Sequence, residues 1–379
     1  ATFSAEPGPN GPVYDIEMDP EGRILLAGDF NVLQGNLLNR VARLNTGGAI
    51  DLNFALPLGF NSSVLDAVRQ ADGKIVLGGI FDLASAARRN RIARINSNGT
   101  LDLDFDPGTG ANDAVTVVEL QGGKILVGGL FTAVNGVQKS GIARLHPDGA
   151  VDISFNRGQA GVDGAVYEIL LLDDGRIVIG GDFANYNGVS RPGVALLDRD
   201  GNLQNQFNPG QGANGPVYAL AQQEDGKILV AGDFTAFGSV SRNRIVRLNP
   251  NGSVDAAFAP GGGLNGPVVT MLIQPSDGKI LVGGGFTLVD NEPRAFIARL
   301  NNDKEFNRAR VVTFTPVIRS AGRLQLTINS QAGFTYTLES ATDLLGAWTR
   351  GQSIVAEGAT VTFDTPPAGS HRFFRVHRE

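Results

Sequence analysis

The feature that most constrains this chain is that it repeats itself. The run Gly-Lys-Ile-Leu-Val-Gly-Gly-x-Phe, in close variants, ends at Phe30, Phe81, Phe131, Phe183, Phe234 and Phe286, with spacings of 51, 50, 52, 51 and 52 residues. A second marker, the Phe of Leu-Asp-x-x-Phe, falls at Phe3, Phe54, Phe105, Phe155, Phe207 and Phe258. A third, the Arg of Ala-Arg-Leu-Asn, stands at Arg43, Arg94, Arg144, Arg247 and Arg299, with Leu196 in the fourth copy. Six copies in one register make a repeat architecture, in which each unit buries its apolar surface against its neighbours.

Each unit carries four short β-type runs. In the fifth copy these are Pro216–Gln222, Lys227–Phe234, Arg244–Asn249 and Ser253–Phe258. They are rich in Val, Ile, Leu and Phe and bounded by turn signals. Asp-Gly turns (Asp72-Gly73, Asp174-Gly175, Asp225-Gly226, Asp277-Gly278) predict a tight hairpin between the first two runs. Helical periodicity is absent. Four strands per ~50-residue unit predict a β-propeller blade. An open β-solenoid is the lesser alternative, since it usually repeats at shorter periods. Continuous apolar runs such as Ile75-Val76-Leu77 suit strands covered on both faces. The paired glycines after them suit close approach by a neighbouring sheet or a crowded axis.

Residues 1–12 match the end of a unit, and the sixth unit loses its pattern after its third run. The expected fold is therefore all-β: a six-bladed propeller over residues 1–305, closed by an N-terminal strand that completes the last blade. Residues 308–379 change character. Runs at Arg310–Ile318, Arg323–Asn329, Thr335–Ser340, Thr360–Asp364 and Arg372–His377 predict a small immunoglobulin- or fibronectin-like β-sandwich.

The unit Gly-Pro-Val-Tyr-Ala-Leu-Ala-x-x-x-Asp-Gly-Lys-Ile-Leu-Val-Ala-Gly-Asp-Phe-Thr, followed by Arg-Asn-Arg-Ile-Val-Arg-Leu-Asn, resembles the delta-60 repeat of secreted and surface bacterial proteins. The segment Tyr336–Leu344, with Trp348 and Phe373–Val376, is similar to sandwich modules at the C-termini of bacterial exported proteins. The resemblance implies an extracellular or cell-surface location and no particular chemistry, because one fold hosts many functions.

Composition excludes several classes. With no Cys and only His146, His371 and His377, disulfide scaffolds, thiolate catalysis and Cys- or His-rich metal centres are ruled out. A net charge of −6 argues against nucleic-acid binding. No apolar run reaches the length of a membrane span. There is no Gly-x-Ser-x-Gly elbow and no phosphate loop.

Comparison among the copies picks out three residue sets. An Asp stands eight residues after the repeat Arg (Arg43/Asp51, Arg94/Asp102, Arg144/Asp152, Arg247/Asp255), and both change together to Leu196 and Gln204 in copy four. This predicts an ion pair across a hairpin, worth ~0.2–1 kcal/mol if exposed. For Arg299 the matching place would precede Ala1, which points to a natural chain that extends further. In the long connections between second and third strands, one position holds Leu38, Arg89, Lys139, Arg191, Arg242 and Arg294. These five cations are candidates for a girdle that binds an acidic glycan or protein, the competing expectation being local pairing with Asp29, Asp182 or Asp233. On the first strand, Asp15, Asp66 and Glu168 are candidate ligands for an axial Ca²⁺; no other cofactor is expected.

The expected function is non-enzymatic extracellular recognition of glycan or protein. The alternatives are a propeller polysaccharide hydrolase or lyase, whose carboxylate pair needs no sequence signature, and a self-assembling subunit of a surface polymer.

Overall fold

A computed structural model describes residues 3–302 apart from 55–57, 86 and 259, and, beyond 302, the six strand segments given below with Glu357. The chain divides into two units, Ala1–Phe306 and Asn307–Glu379. Among the described residues there is no helix, hence none long and apolar enough to cross a membrane.

The first unit contains six three-stranded antiparallel sheets, one per repeat. In the fifth, Val217–Gln222 pairs with Ile228–Gly232, which pairs with Ile245–Leu248. The sixth repeats this with Val268–Ile273, Ile280–Gly284 and Ile297–Leu300. The connection between second and third strands is itself a two-residue hairpin, as in Ala236–Phe237 with Val240–Ser241. The first strands pack on one another in chain order.

The fourth predicted run is not a strand. Ser253–Phe258 forms a single bridge, Leu248 with Val254, and then folds back. Asp255 is the cause. Its Oδ1 accepts from Ala257 N at 2.8 Å, an Asx turn that outcompetes strand pairing. The turn drives Phe258 into the core beneath Arg247, whose guanidinium lies 5.0 Å from the ring centroid. The same stacking recurs for Arg43 on Phe54, Arg94 on Phe105 and Arg144 on Phe155.

The expected N-terminal closing strand is corrected for the same reason. With a turn in the fourth place of each unit, there is no outer edge of that kind to complete. Residues 3–12 contain no strand, and Ser4 N donates instead to Gly47 O of the first unit at 3.0 Å.

The predicted Arg–Asp pairs form, at 2.6 Å between Arg94 Nε and Asp102 Oδ2 and 2.8 Å between Arg144 Nε and Asp152 Oδ2. They are buried, not exposed. Each Arg also reaches the turn of the following unit: Arg43 Nη1 donates to Ser97 O (2.7 Å), Arg94 Nη1 to Pro147 O (2.6 Å) and Arg247 Nη1 to Asn302 O. One side chain thus joins the hairpin, the Phe and the next unit.

The two glycines after each second strand have separate reasons. A Cβ on Gly180 would lie 2.8 Å from Val217 Cγ1 of the next unit. A Cβ on Gly181 would lie 2.0 Å from Ala165 O on its own first strand. The first glycine admits the neighbouring sheet, and the second admits a bulge.

In the C-terminal unit two three-stranded antiparallel sheets are described: Thr315–Arg319, Arg323–Asn329 and Thr360–Asp364; and Thr349–Val355, Thr335–Ala341 and Phe373–Arg378. Thr349–Val355 was not legible in the sequence, where Gly351 and Gln352 interrupt the pattern. Residues 310–314, Trp348, His371 and Arg372 lie outside the described residues.

Candidate functional site

Every first strand is bulged at the same place. Its register against the second strand slips between Val13 and Asp15, Val64 and Asp66, Val115 and Val117, Val166 and Glu168, Val217 and Ala219, and Val268 and Thr270. The extra residues are Tyr14, Leu65, Thr116, Tyr167, Tyr218 and Val269. A bulge re-aims one side chain out of the pleat and commonly sits beside a functional site. These six lie where the first strand begins, beside the end of the second strand where the hairpin starts. They therefore line the hairpin-side end, or rim, of the row of first strands.

That rim is reinforced from the links between units. Asn10, Asn61, Asn112, Asp163, Asn214 and Asn265 each accept, through Oδ1, from two consecutive backbone N–H groups at the start of a hairpin. Links and hairpins thus share one face, as the sequence predicts. The recurrent Asn, replaced once by Asp163, at 51-residue intervals is the sequence signal for this clamp.

On the rim, Tyr167 and Tyr218 form a ring pair with centroids 5.4 Å apart and planes at 45°. Both are partly exposed. Burial, with the nearby Asp182 charge, pushes up the pKa of Tyr167; burial, then Asp233 and Asp182, does the same for Tyr218. Asp233 pairs with Arg244 at 2.8 Å. In the fourth unit the residue matching Arg244 is Gly193, and no salt bridge to Asp182 occurs among the described residues. The result is a small aromatic platform edged by carboxylates. Its sequence signal, Tyr at one position in three of six copies, was not picked out.

Below the rim stand the first-strand carboxylates. Asp66 Oδ2 accepts Val118 N from the first strand of the following unit at 2.6 Å, whereas Asp15 Oδ2 is buried without a hydrogen-bond partner. Asp66 thus ties neighbouring first strands together, a role that the sequence did not reveal. Glu17 and Glu119 join them. Each lies two residues beyond the position singled out in the sequence, and alternate strand residues share a face. Burial, then the charges of Glu119 and Asp15, pushes the Glu168 carboxyl up to about 8. Burial, then Asp15 and Glu119, opposed by Arg69, pushes Glu17 up to about 7. Asp15 is also raised by burial, and Asp66 well raised by burial and the charge of Asp15. Glu168 of the fourth unit feels the charge of Asp15 of the first. No three acidic or His side chains among the described residues are grouped to hold a metal ion; Asp15, Asp66 and Glu168 are near one another without forming a ligand set.

Each of the five cations donates to a backbone carbonyl, while the Nε of Arg89, Arg191 and Arg242 is buried without a hydrogen-bond partner. Lys139 is buried, and its Nζ donates to Phe155 O (2.5 Å) and Asn156 O (2.9 Å). Arg191 is buried, with Nη1 on Ser190 O (2.7 Å). Arg89 donates to Arg88 O, Arg242 to Ser241 O and Phe258 O, and Arg294 to Pro293 O. Local pairing therefore occurs, but with carbonyls in place of the expected Asp29, Asp182 and Asp233. Asp29 and Asp233 take Arg40 (3.2 Å) and Arg244, two residues further on in the same connections. Of the five, only Arg294 is exposed.

Comparison with known proteins gives one family. The model of a β-propeller domain of unknown function, DUF5122, matches residues 20–54, 70–105, 123–155, 172–207, 223–258 and 276–303. No curated protein matches the sequence. Among solved structures, a candidate exported protein from Bacteroides fragilis is similar at 11% identity with a TM-score of 0.27, over 56% of this chain and 64% of that one, under two thirds of its length.

Proposed function

This chain belongs to the DUF5122 β-propeller family, and from that premise we propose that it is an exported, non-enzymatic binding protein that holds a glycan at the hairpin-side end of its first strands. The observation that carries this reading is the Tyr167–Tyr218 pair with Asp182 and Asp233 beside it. Tyrosine rings supply flat apolar area with a polar edge. A few placed polar groups around such a surface fix a ligand's orientation. A sugar ring offers the complement: a C–H face to lie on the aromatics and hydroxyls to donate to carboxylates. Export follows from the resemblance of the repeat to those of secreted and surface proteins.

The test is a glycan array probed with the full chain, in calcium and in chelator. Binding that Tyr218→Ala abolishes and Arg294→Ala leaves intact supports the proposal. An array with no ligand, or binding indifferent to Tyr218→Ala, defeats it. A second reading, hydrolysis, is favoured by Glu168, since a carboxyl held protonated to about pH 8 suits a general acid. Release of reducing ends from a bound glycan, lost in Glu168→Gln, would select it.

A further inference from the structure

Arg40 in the first unit, Arg91 in the second and Arg244 in the fifth share a left-handed backbone, with φ of 74°, 68° and 70°. In the first and fifth units this sets the guanidinium on the carboxylate where the second strand ends. Arg40 Nη1 lies 3.2 Å from Asp29, and Arg244 Nη1 lies 2.8 Å from Asp233. The fourth unit keeps the backbone and the carboxylate and drops the side chain. Gly193 has φ 75°, and Asp182 stands where Asp233 does, without a hydrogen bond or salt bridge to its side chain among the described residues.

The missing arginine leaves a cavity of about 350 Å³ between the fourth and fifth units, lined by Asp163, Asp182, Phe183, Pro192, Gly193 and Asn214. The third unit also has Gly at this place, but there the space is filled: a Cβ on Gly141 would lie 2.2 Å from Val162 Cγ2, and Leu130 replaces the acid. Against Gly193 the residue matching Val162 is the smaller Ala213. By sequence the fourth unit alone keeps the acid without the arginine. Asp163 is committed, since its Oδ1 accepts Ala184 N and Asn185 N and its Oδ2 accepts Asn185 Nδ2. Asp182 is left to face the cavity. Its charge also reaches both rings of the Tyr167–Tyr218 pair, so cavity and aromatic platform adjoin. One such carboxylate falls short of the about six to eight oxygens that Ca²⁺ takes. It matches an organic cation, whose N–H groups donate to the carboxylate while ring faces attract its charge.

We propose that this cavity takes a protonated amino group of the bound glycan, with Asp182 receiving it as Asp233 receives Arg244. The inference rests on the glycan reading and narrows it to sugars with free amines. The sugar's C–H face lies on the tyrosines, and its ammonium enters the space that an arginine fills in the sister units.

Calorimetric titration of the full chain with a glucosamine oligomer, the matching N-acetylglucosamine oligomer and arginine amide tests it. The glucosamine oligomer is expected to bind about tenfold or more tighter than its acetylated counterpart, the worth of one charge-assisted hydrogen bond. Asp182→Asn, at an exposed position, should erase that preference, whereas Tyr218→Ala should weaken both oligomers. Gly193→Arg supplies the sister units' own cation on a backbone they share and should exclude the glucosamine oligomer. Equal binding of the two oligomers, or a preference that survives both Asp182→Asn and Gly193→Arg, overturns the inference and leaves the glycan reading standing. Binding of arginine amide with neither oligomer overturns both and makes the cavity a seat for a protein's arginine.

Discussion

Arg144 donates through Nε to Asp152 Oδ2 at 2.8 Å while its Nη1 reaches Arg199 O in the following unit at 2.6 Å. The same guanidinium lies 4.9 Å from the centre of the Phe155 ring. One buried side chain therefore ties a turn to its own unit and to the next. Removing Arg144 leaves Asp152 with Lys124 Nζ at 2.6 Å as its remaining cation, so Arg144→Ala is expected to lower stability by no more than the about 3–5 kcal/mol of a fully broken buried pair. The fourth unit shows the alternative, Leu196 with Gln204. Arg144→Leu with Asp152→Gln should recover at least half of that loss, because an apolar replacement of both charges removes their desolvation cost. Urea midpoints of the two variants decide it; equal losses would contradict the coupling.

The first-strand carboxylates set a pH dependence of definite sign. Glu168, up to about 8, and Glu17, up to about 7, hold protons in the fold that the unfolded chain releases near the ordinary carboxylate pKa. The folded state binds more protons between those limits, so their contribution to stability falls as pH rises from about 4.5 to about 8. Asp51, Asp102, Asp152 and Asp255 are held low despite burial, by hydrogen bonds from backbone N–H groups and from Arg, Lys or Ser side chains. Their contribution is present above the ordinary carboxylate pKa and is lost as pH falls through their lowered values. Thermal midpoints should therefore decline from mildly acidic toward alkaline pH, and Glu168→Gln should flatten that decline. An unchanged slope in Glu168→Gln would refute the assignment.

Lys139 tests whether the loop cations serve the fold. Burial lowers its pKa, and its ammonium satisfies two backbone carbonyls, Phe155 O and Asn156 O. Lys139→Met keeps the stem and removes the donor. It should cost about 1–3 kcal/mol for acceptors left unsatisfied, whereas exposed Arg294→Ala should stay within about 0.5 kcal/mol. Denaturation midpoints separate these outcomes, and equal small effects would restore Lys139 as a candidate ligand group.

The sequence by itself determined the repeat, the all-β units, the turns and the Arg–Asp partnership, because periodicity, Gly placement and paired substitution are local or recur in one register. Tertiary structure decided what those residues do. Asp255 as an Asx turn removed the fourth strand. The bulges turned Tyr14, Tyr167 and Tyr218 onto one rim. Packing of first strand on first strand brought Asp15, Glu17, Asp66, Glu119 and Glu168 together from four units, and burial changed their protonation. Whether Lys139 meets a ligand or a carbonyl depends on where the chain places a carbonyl sixteen residues away. That is a matter of distance and desolvation, which no one-dimensional spacing encodes.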